Sequence, residues 1–98
     1  MVQVRRTADF DAWLGGLRDQ RAKARIDRLA WGSPGDVKPV GSGVSEVRID
    51  DGPGYRLYFT RRGEALILLL CGGDKGSQQR DIVRAKALAA DLQDGDGA

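Results

Sequence analysis

Glu46, Arg48, Arg56 and Tyr58 are the residues of this chain whose types and spacing could do chemistry. Successive side chains of a strand point to opposite faces of its sheet. In the strand that begins at Val44, Val47 and Ile49 fall on one side and Glu46 and Arg48 on the other. In the next strand Tyr55, Leu57 and Phe59 share a side, opposite Arg56 and Tyr58. Joining the apolar sets in a core against the helices leaves the four polar residues together on an open face. Paired arginines beside a carboxylate and a phenol can grip a phosphodiester bidentately and exchange protons with it. Lys75, in the loop after the last apolar run, offers a flexible cation to the same group. A solvated sheet face with weak cross-strand ion pairs would use the same residue types, and the residues alone leave both readings open.

The elements that must position these residues are legible from period and punctuation. Val2 and Val4 alternate with polar residues as a short strand, and Thr7 is placed to cap a helix with Asp9 in its first turn. Phe10, Trp13, Leu14 and Leu17 form one helical face, and Gly15-Gly16 weakens the end of that helix. A second helix is predicted over about 18–30, with Ala22, Ile26, Leu29 and Ala30 inward and Gly32 placed to stop it. Its outer face carries Arg18, Arg21, Lys23, Arg25 and Arg28, which suit a ribosome contact or simple solvation. Trp13 reads as core, while Trp31 is undecided.

The period then changes from helix to strand. Strands are predicted at about 37–41, 44–50, 54–62 and 64–71, with turns at Gly41-Ser42-Gly43, Asp51-Gly52-Pro53 and Arg62-Gly63. Short connections predict antiparallel neighbours. The run 66–70 is apolar at every position, so its strand should be central and covered on both faces. Gly72-Gly73 and the residues after them lack the spacing of a phosphate-binding loop, and a turn with positive φ would account for them. Ser77 is placed to cap a third helix on which Ile82, Ala85, Ala89 and Leu92 share a face. The expected class is α+β: an antiparallel sheet with two N-terminal helices and one C-terminal helix.

A chain of 98 residues has room for one core. The domain is expected over residues 1–92, with 93–98 as a frayed tail that has nothing to bury. The longest apolar run is far short of the roughly 20 residues that span a bilayer, and the N-terminus lacks a signal-type apolar segment. A cytoplasmic protein without membrane contact is expected. Cys71 is the sole cysteine and there is no histidine, so a buried reduced thiol is expected, with no metal and no small-molecule cofactor. Without Asp91, Asp94 and Asp96 near the end, the chain holds 16 bases against 11 acids. That excess suits a polyanionic partner.

These residues together resemble a known family. Phe10, Trp13, Leu14, Leu17, Arg18 and Asp19, the segments GDVKPVG (35–41), EVRI (46–49), GPGYRLYF (52–59) and LLCGGDK (69–75), and Gln78, Asp81, Ile82 and Ala85 carry the likeness. It is to the HigB-like addiction-module killer proteins of the RelE/ParE superfamily, over about residues 8–90. The resemblance implies helices on one face of an antiparallel sheet. It also implies a toxin of a type II toxin-antitoxin system, neutralised by a cognate antitoxin, commonly a helix-turn-helix, HigA-like protein encoded beside it. RelE-like members enter the ribosome and cleave messenger RNA with the RNA's own 2′-hydroxyl as nucleophile, an endoribonuclease chemistry that needs no metal.

Carried over residue by residue, the resemblance makes Arg56 the phosphate-stabilising arginine and Arg48 its neighbour, with Lys75 a further cation. Glu46 becomes the candidate base, and Tyr58 or Asp81 the proton carrier. Lys38, Arg48, Arg56 and Lys75 are the expected RNA contacts. RelE-like nucleases often carry a tyrosine or histidine near the C-terminal end, whereas here no aromatic residue follows Phe59 and no histidine exists. Two other outcomes of the same likeness are a ParE-like inhibitor of DNA gyrase with no nuclease site, and a catalytically inactive relative acting as a co-regulator with its antitoxin.

Overall fold

The computed structural model describes residues 3–29, 34–49 and 52–96, with side chains described through Leu92. Trp31 and Gly32 lie outside the described residues, as do Val2, Ala30 and Asp51. The strands are β1 (Gln3–Arg6), β2 (Val37–Gly41), β3 (Val44–Ile49), β4 (Tyr55–Arg62) and β5 (Leu66–Gly73). The helices are α1 (Ala8–Gly16), α2 (Gln20–Asp27) and α3 (Gln78–Asp96). The fold is α+β, with one sheet in the order β1-β5-β4-β3-β2. Three of its four pairings are antiparallel. β1 instead runs parallel to β5, which makes the sheet mixed rather than antiparallel throughout.

Local chemistry fixes the helix starts. Thr7 Oγ1 accepts from the Phe10 amide at 3.0 Å and donates to the Leu70 carbonyl, so a single side chain caps α1 and ties it to β5. Asp19 accepts from the amides of Arg21 and Ala22, both at 3.1 Å, which starts α2 two residues after the expected Arg18. Asp74, not Ser77, caps the C-terminal turn: it accepts from Gly76 and Ser77 at the head of a 3-10 turn, Lys75–Ser77, that leads into α3. The backbone of α3 is helical to Asp96, four residues past the last position of its expected apolar face.

The helices divide between the two faces of the sheet. Phe10 and Ile26, with Trp13, Leu14, Leu17 and Leu29, pack on Val47, Ile49, Leu57, Phe59, Ile67 and Leu69. On the other face Ala85 and Ala89, with Ile82, Leu88 and Leu92, cover Val44, Tyr58, Leu68, Leu70 and Cys71. The expectation that β5 is covered on both sides therefore holds. The expectation of an open face does not, because the apolar side of α3 has its own half of β5 to bury. Helices on one face alone, as the resemblance implies, would have left Leu68 and Leu70 in water.

A bulge in β5 sets which residues face α3. Tyr58 pairs with Cys71 and Phe59 with Leu69, so Leu70 is the extra residue, and both Leu70 and Cys71 join the α3 side. Parity then turns Gly72 toward α1 and Gly73 toward α3. Neither has positive φ, contrary to the turn reading. A Cβ on Gly72 would overlap the indole of Trp13, and one on Gly73 would overlap the Asp81 carboxylate. Close approach on both faces, rather than backbone conformation, accounts for the pair. Left-handed conformations occur instead at Gly41, Ser42 and Gly43, which close the β2–β3 hairpin.

Gly72→Ala is expected to lower stability by about 1–3 kcal/mol, the usual range for overpacking a filled core. Urea denaturation measures it, and Trp13→Leu added to the same chain should recover part of the loss, because the overlap is with the indole.

Candidate functional site

The sheet register lays the candidate residues out as two adjacent rungs. Lys38 pairs with Glu46, Glu46 with Tyr58, and Tyr58 with Cys71. Arg48 pairs with Arg56, and Arg56 with Gly73. The Arg48 amide donates to the Asp36 carbonyl at 3.2 Å, which extends the second rung by one residue. Read across, the rungs run Lys-Glu-Tyr and Asp-Arg-Arg, all on the α3 side of the sheet. Opposite charges face each other across β2 and β3, whereas Arg48 and Arg56 set like charges directly opposite across β3 and β4.

Because α3 begins directly over this corner, the group is far less exposed than an open face would leave it. Glu46 is 6% exposed, Arg56 8% and Tyr58 0%. Arg56 Nε lies 3.7 Å from Glu46 Oε1, and Arg56 Nη1 donates to the Gly54 carbonyl at 3.0 Å. Gln78, the first residue of α3, donates to the other oxygen, Glu46 Oε2, at 3.0 Å. The buried carboxylate therefore faces a cation on one oxygen and an amide on the other. Arg56 Nε itself is buried without a protein hydrogen-bond partner.

The second arginine behaves differently. Arg48 Nη2 meets Asp36 Oδ2 at 3.0 Å, and each side chain keeps about half of its surface in water. Lys38 and Lys75 are exposed as well. Asp36, Lys38, Glu46, Arg48, Arg56 and Gln78 together line a cleft of about 190 Å³. Lys75 stands at its rim, since a Cβ placed on Gly54 would lie 3.6 Å from Arg56 Nη1 and 4.0 Å from Lys75 Cβ. Four of the candidate residues thus line one cleft, and a fifth borders it.

Tyr58 and Asp81 are placed elsewhere. The Tyr58 hydroxyl is sealed under α3 without a hydrogen-bond partner. Burial first, and then the negative charge of Glu46, push its pKa well above the usual phenol range. Asp81 accepts from Ser77 Oγ and rests over Gly73, where its charge suits the first turn of α3. Both stand behind the cleft rather than in its wall. Cys71 is free and buried, as expected, with its thiol pushed up to about 12 chiefly by burial and then by the Asp81 charge.

Asp36 and Gln78 were not among the expected site residues. Both fall in segments that carry the family likeness, but only the register and the seat of α3 bring them to Arg48 and Glu46. Chemically, the cleft offers three cations, a buried carboxylate and an exposed one, which is a set suited to an anion with protons to exchange.

No family model matches the chain. An uncharacterized protein of Haemophilus influenzae is 48% identical over 95 residues, which cover 93% of this chain and 96% of that protein.

The two arginines should separate in a stability measurement. Arg56→Ala leaves Glu46 buried without its cation and is expected to cost about 3–5 kcal/mol. Arg48→Ala removes an exposed pair and is expected to cost less than about 1 kcal/mol. Urea titrations of both variants check the difference.

Proposed function

The chain belongs to the family of that Haemophilus influenzae protein, and we propose that it is the toxin of a type II toxin-antitoxin system, a metal-independent, ribosome-dependent endoribonuclease of the RelE/ParE superfamily. The observation that carries this reading is the cleft. Arg56, buried and with Nε turned toward the Glu46 carboxylate, stands between the exposed cations Arg48 and Lys75. The sequence likeness of residues 8–90 to HigB-like proteins supports the same conclusion.

In this mechanism Lys38 and Lys75 hold the RNA backbone on either side of the scissile phosphate. Arg48 and Arg56 sit against its non-bridging oxygens and stabilise the charge that grows there. Glu46 accepts the proton of the 2′-hydroxyl, whose oxygen bonds to phosphorus as the bond to the 5′-oxygen breaks, leaving a 2′,3′-cyclic phosphate. Tyr58 and Asp81, set behind the cleft, hold the site's shape. The exposed ammonium of Lys75 supplies the proton that the 5′-oxygen takes up. The cognate partner is a helix-turn-helix, HigA-like antitoxin encoded beside it, and the working place is the ribosome in the cytoplasm. Among the described residues no helix is long and apolar enough to cross a membrane.

A specific observation favours a second reading. Glu46 is already engaged by Arg56 and Gln78, and the tyrosine of the group is sealed from solvent. A face built this way could bind without cleaving, as in a ParE-like inhibitor of DNA gyrase.

Mapping RNA ends on translating ribosomes after induction decides between them. New 5′ ends within translated messages are expected for the wild type. Lys38→Ala and Arg48→Ala, both at exposed positions, should each reduce them by about tenfold or more, since each removes one cation that holds a phosphate. Intact messages accompanied by a gyrase-linked DNA-damage response would contradict the nuclease and support the binder.

A further inference from the structure

Asp36 has no part in the chemistry above, yet it occupies the mouth of the cleft. The strand ladder puts it there: the Arg48 amide donates to its carbonyl, so the two residues face each other across β2 and β3 with side chains on the same face. Its carboxylate reaches Arg48 at 3.0 Å. The cleft then holds Lys38, Arg48 and Arg56 against two acids, Glu46 and Asp36. Glu46 is buried and held by two partners. Asp36 is not, with 61% of its side chain exposed. An exposed pair of this kind is weak enough to open when a stronger anion arrives.

We propose that Asp36 is a specificity-determining residue, a built-in competing anion that sets the threshold for phosphate entry at Arg48; the inference rests on the cleft being the RNA site. A phosphate entering beside Arg48 must displace this carboxylate or share the arginine with it, and in either case it meets a like charge. A single phosphate group gains little from that exchange. A single-stranded RNA segment gains more, because neighbouring phosphates reach Lys38 and Lys75 at the same time. Asp36 thereby keeps isolated phosphate below occupancy at concentrations where a polynucleotide chain, with its additional contacts, still binds. The same charge lowers the affinity of the cleft for RNA in general, since it subtracts one unit from the local positive potential.

The test is binding of a 2′-O-methylated single-stranded RNA oligonucleotide, which cannot be cleaved, to the full chain over a series of salt concentrations, read by fluorescence anisotropy. Asp36→Asn keeps an acceptor for Arg48 and removes only the charge. It is expected to bind about three- to tenfold more tightly at low salt, with the gap closing as salt rises. Asp36→Glu should bind like the wild type, and inorganic phosphate titrated alone should occupy the cleft of Asp36→Asn at lower concentration than that of the wild type. Equal or weaker binding by Asp36→Asn, while the wild type binds and Lys38→Ala binds less, would overturn this role and leave the cleft as the RNA site. No binding by any of these proteins would overturn both.

Discussion

The interaction on which the rest of this structure depends is the one between Arg56 and Glu46 beneath the first turn of α3. An arginine and a glutamate at diagonal positions of an open sheet would be an ordinary, weak surface pair. Here α3 lies across that corner, and both groups lose nearly all of their water. Neither can then be removed without a large loss of stability, and the geometry must supply what solvent no longer does: Gly54 takes one guanidinium nitrogen and Gln78 secures the second carboxylate oxygen. The result is a cation fixed in the wall of a cleft, with Nη1 on the Gly54 carbonyl and Nε turned toward Glu46. Fixed charge of this kind needs no reorganisation when an anion arrives, and it acts more strongly in a dry site than in water.

The placement of α3 follows from β5. Leu66 to Leu70 cannot be left exposed on either face, so a helix must lie on each, and the two N-terminal helices fill one side only. At the end of β5 the chain meets two crowded approaches in succession, Trp13 from below and Asp81 from above, and glycines at 72 and 73 admit both. The short turn capped by Asp74 then returns the chain over the sheet so that Gln78 arrives at Glu46. A core requirement and a site requirement are thus met by the same short stretch of backbone.

Much of this was legible in the sequence. Period and turn residues located four strands to within two residues, and parity assigned Glu46, Arg48, Arg56 and Tyr58 to one face. The error lay in assigning all three helices to the other face. The information to avoid it was present, since a strand apolar at every position demands cover on both sides. Other features were not legible. The parallel pairing of β1 with β5 joins segments from opposite ends of the domain, with no turn to announce it. The register that brings Asp36 to Arg48 includes an irregularity between Pro39 and Gly41, and the sequence does not specify how that is resolved. Gln78 reaches Glu46 only because of where α3 is seated. Burial of Tyr58 has the same cause.

The central claim is that Arg56 is a pre-placed phosphate ligand, not merely the counter-ion of a structural glutamate. The most direct measurement is the NMR signal of the Arg56 Nε–H group, assigned by comparison with an arginine variant and followed while a 2′-O-methylated oligonucleotide is added. A pre-placed ligand predicts a signal protected from solvent exchange in the free protein, which shifts in proportion to occupancy as the RNA binds. An Arg56 signal that stays in place while RNA binding shifts resonances elsewhere would contradict it.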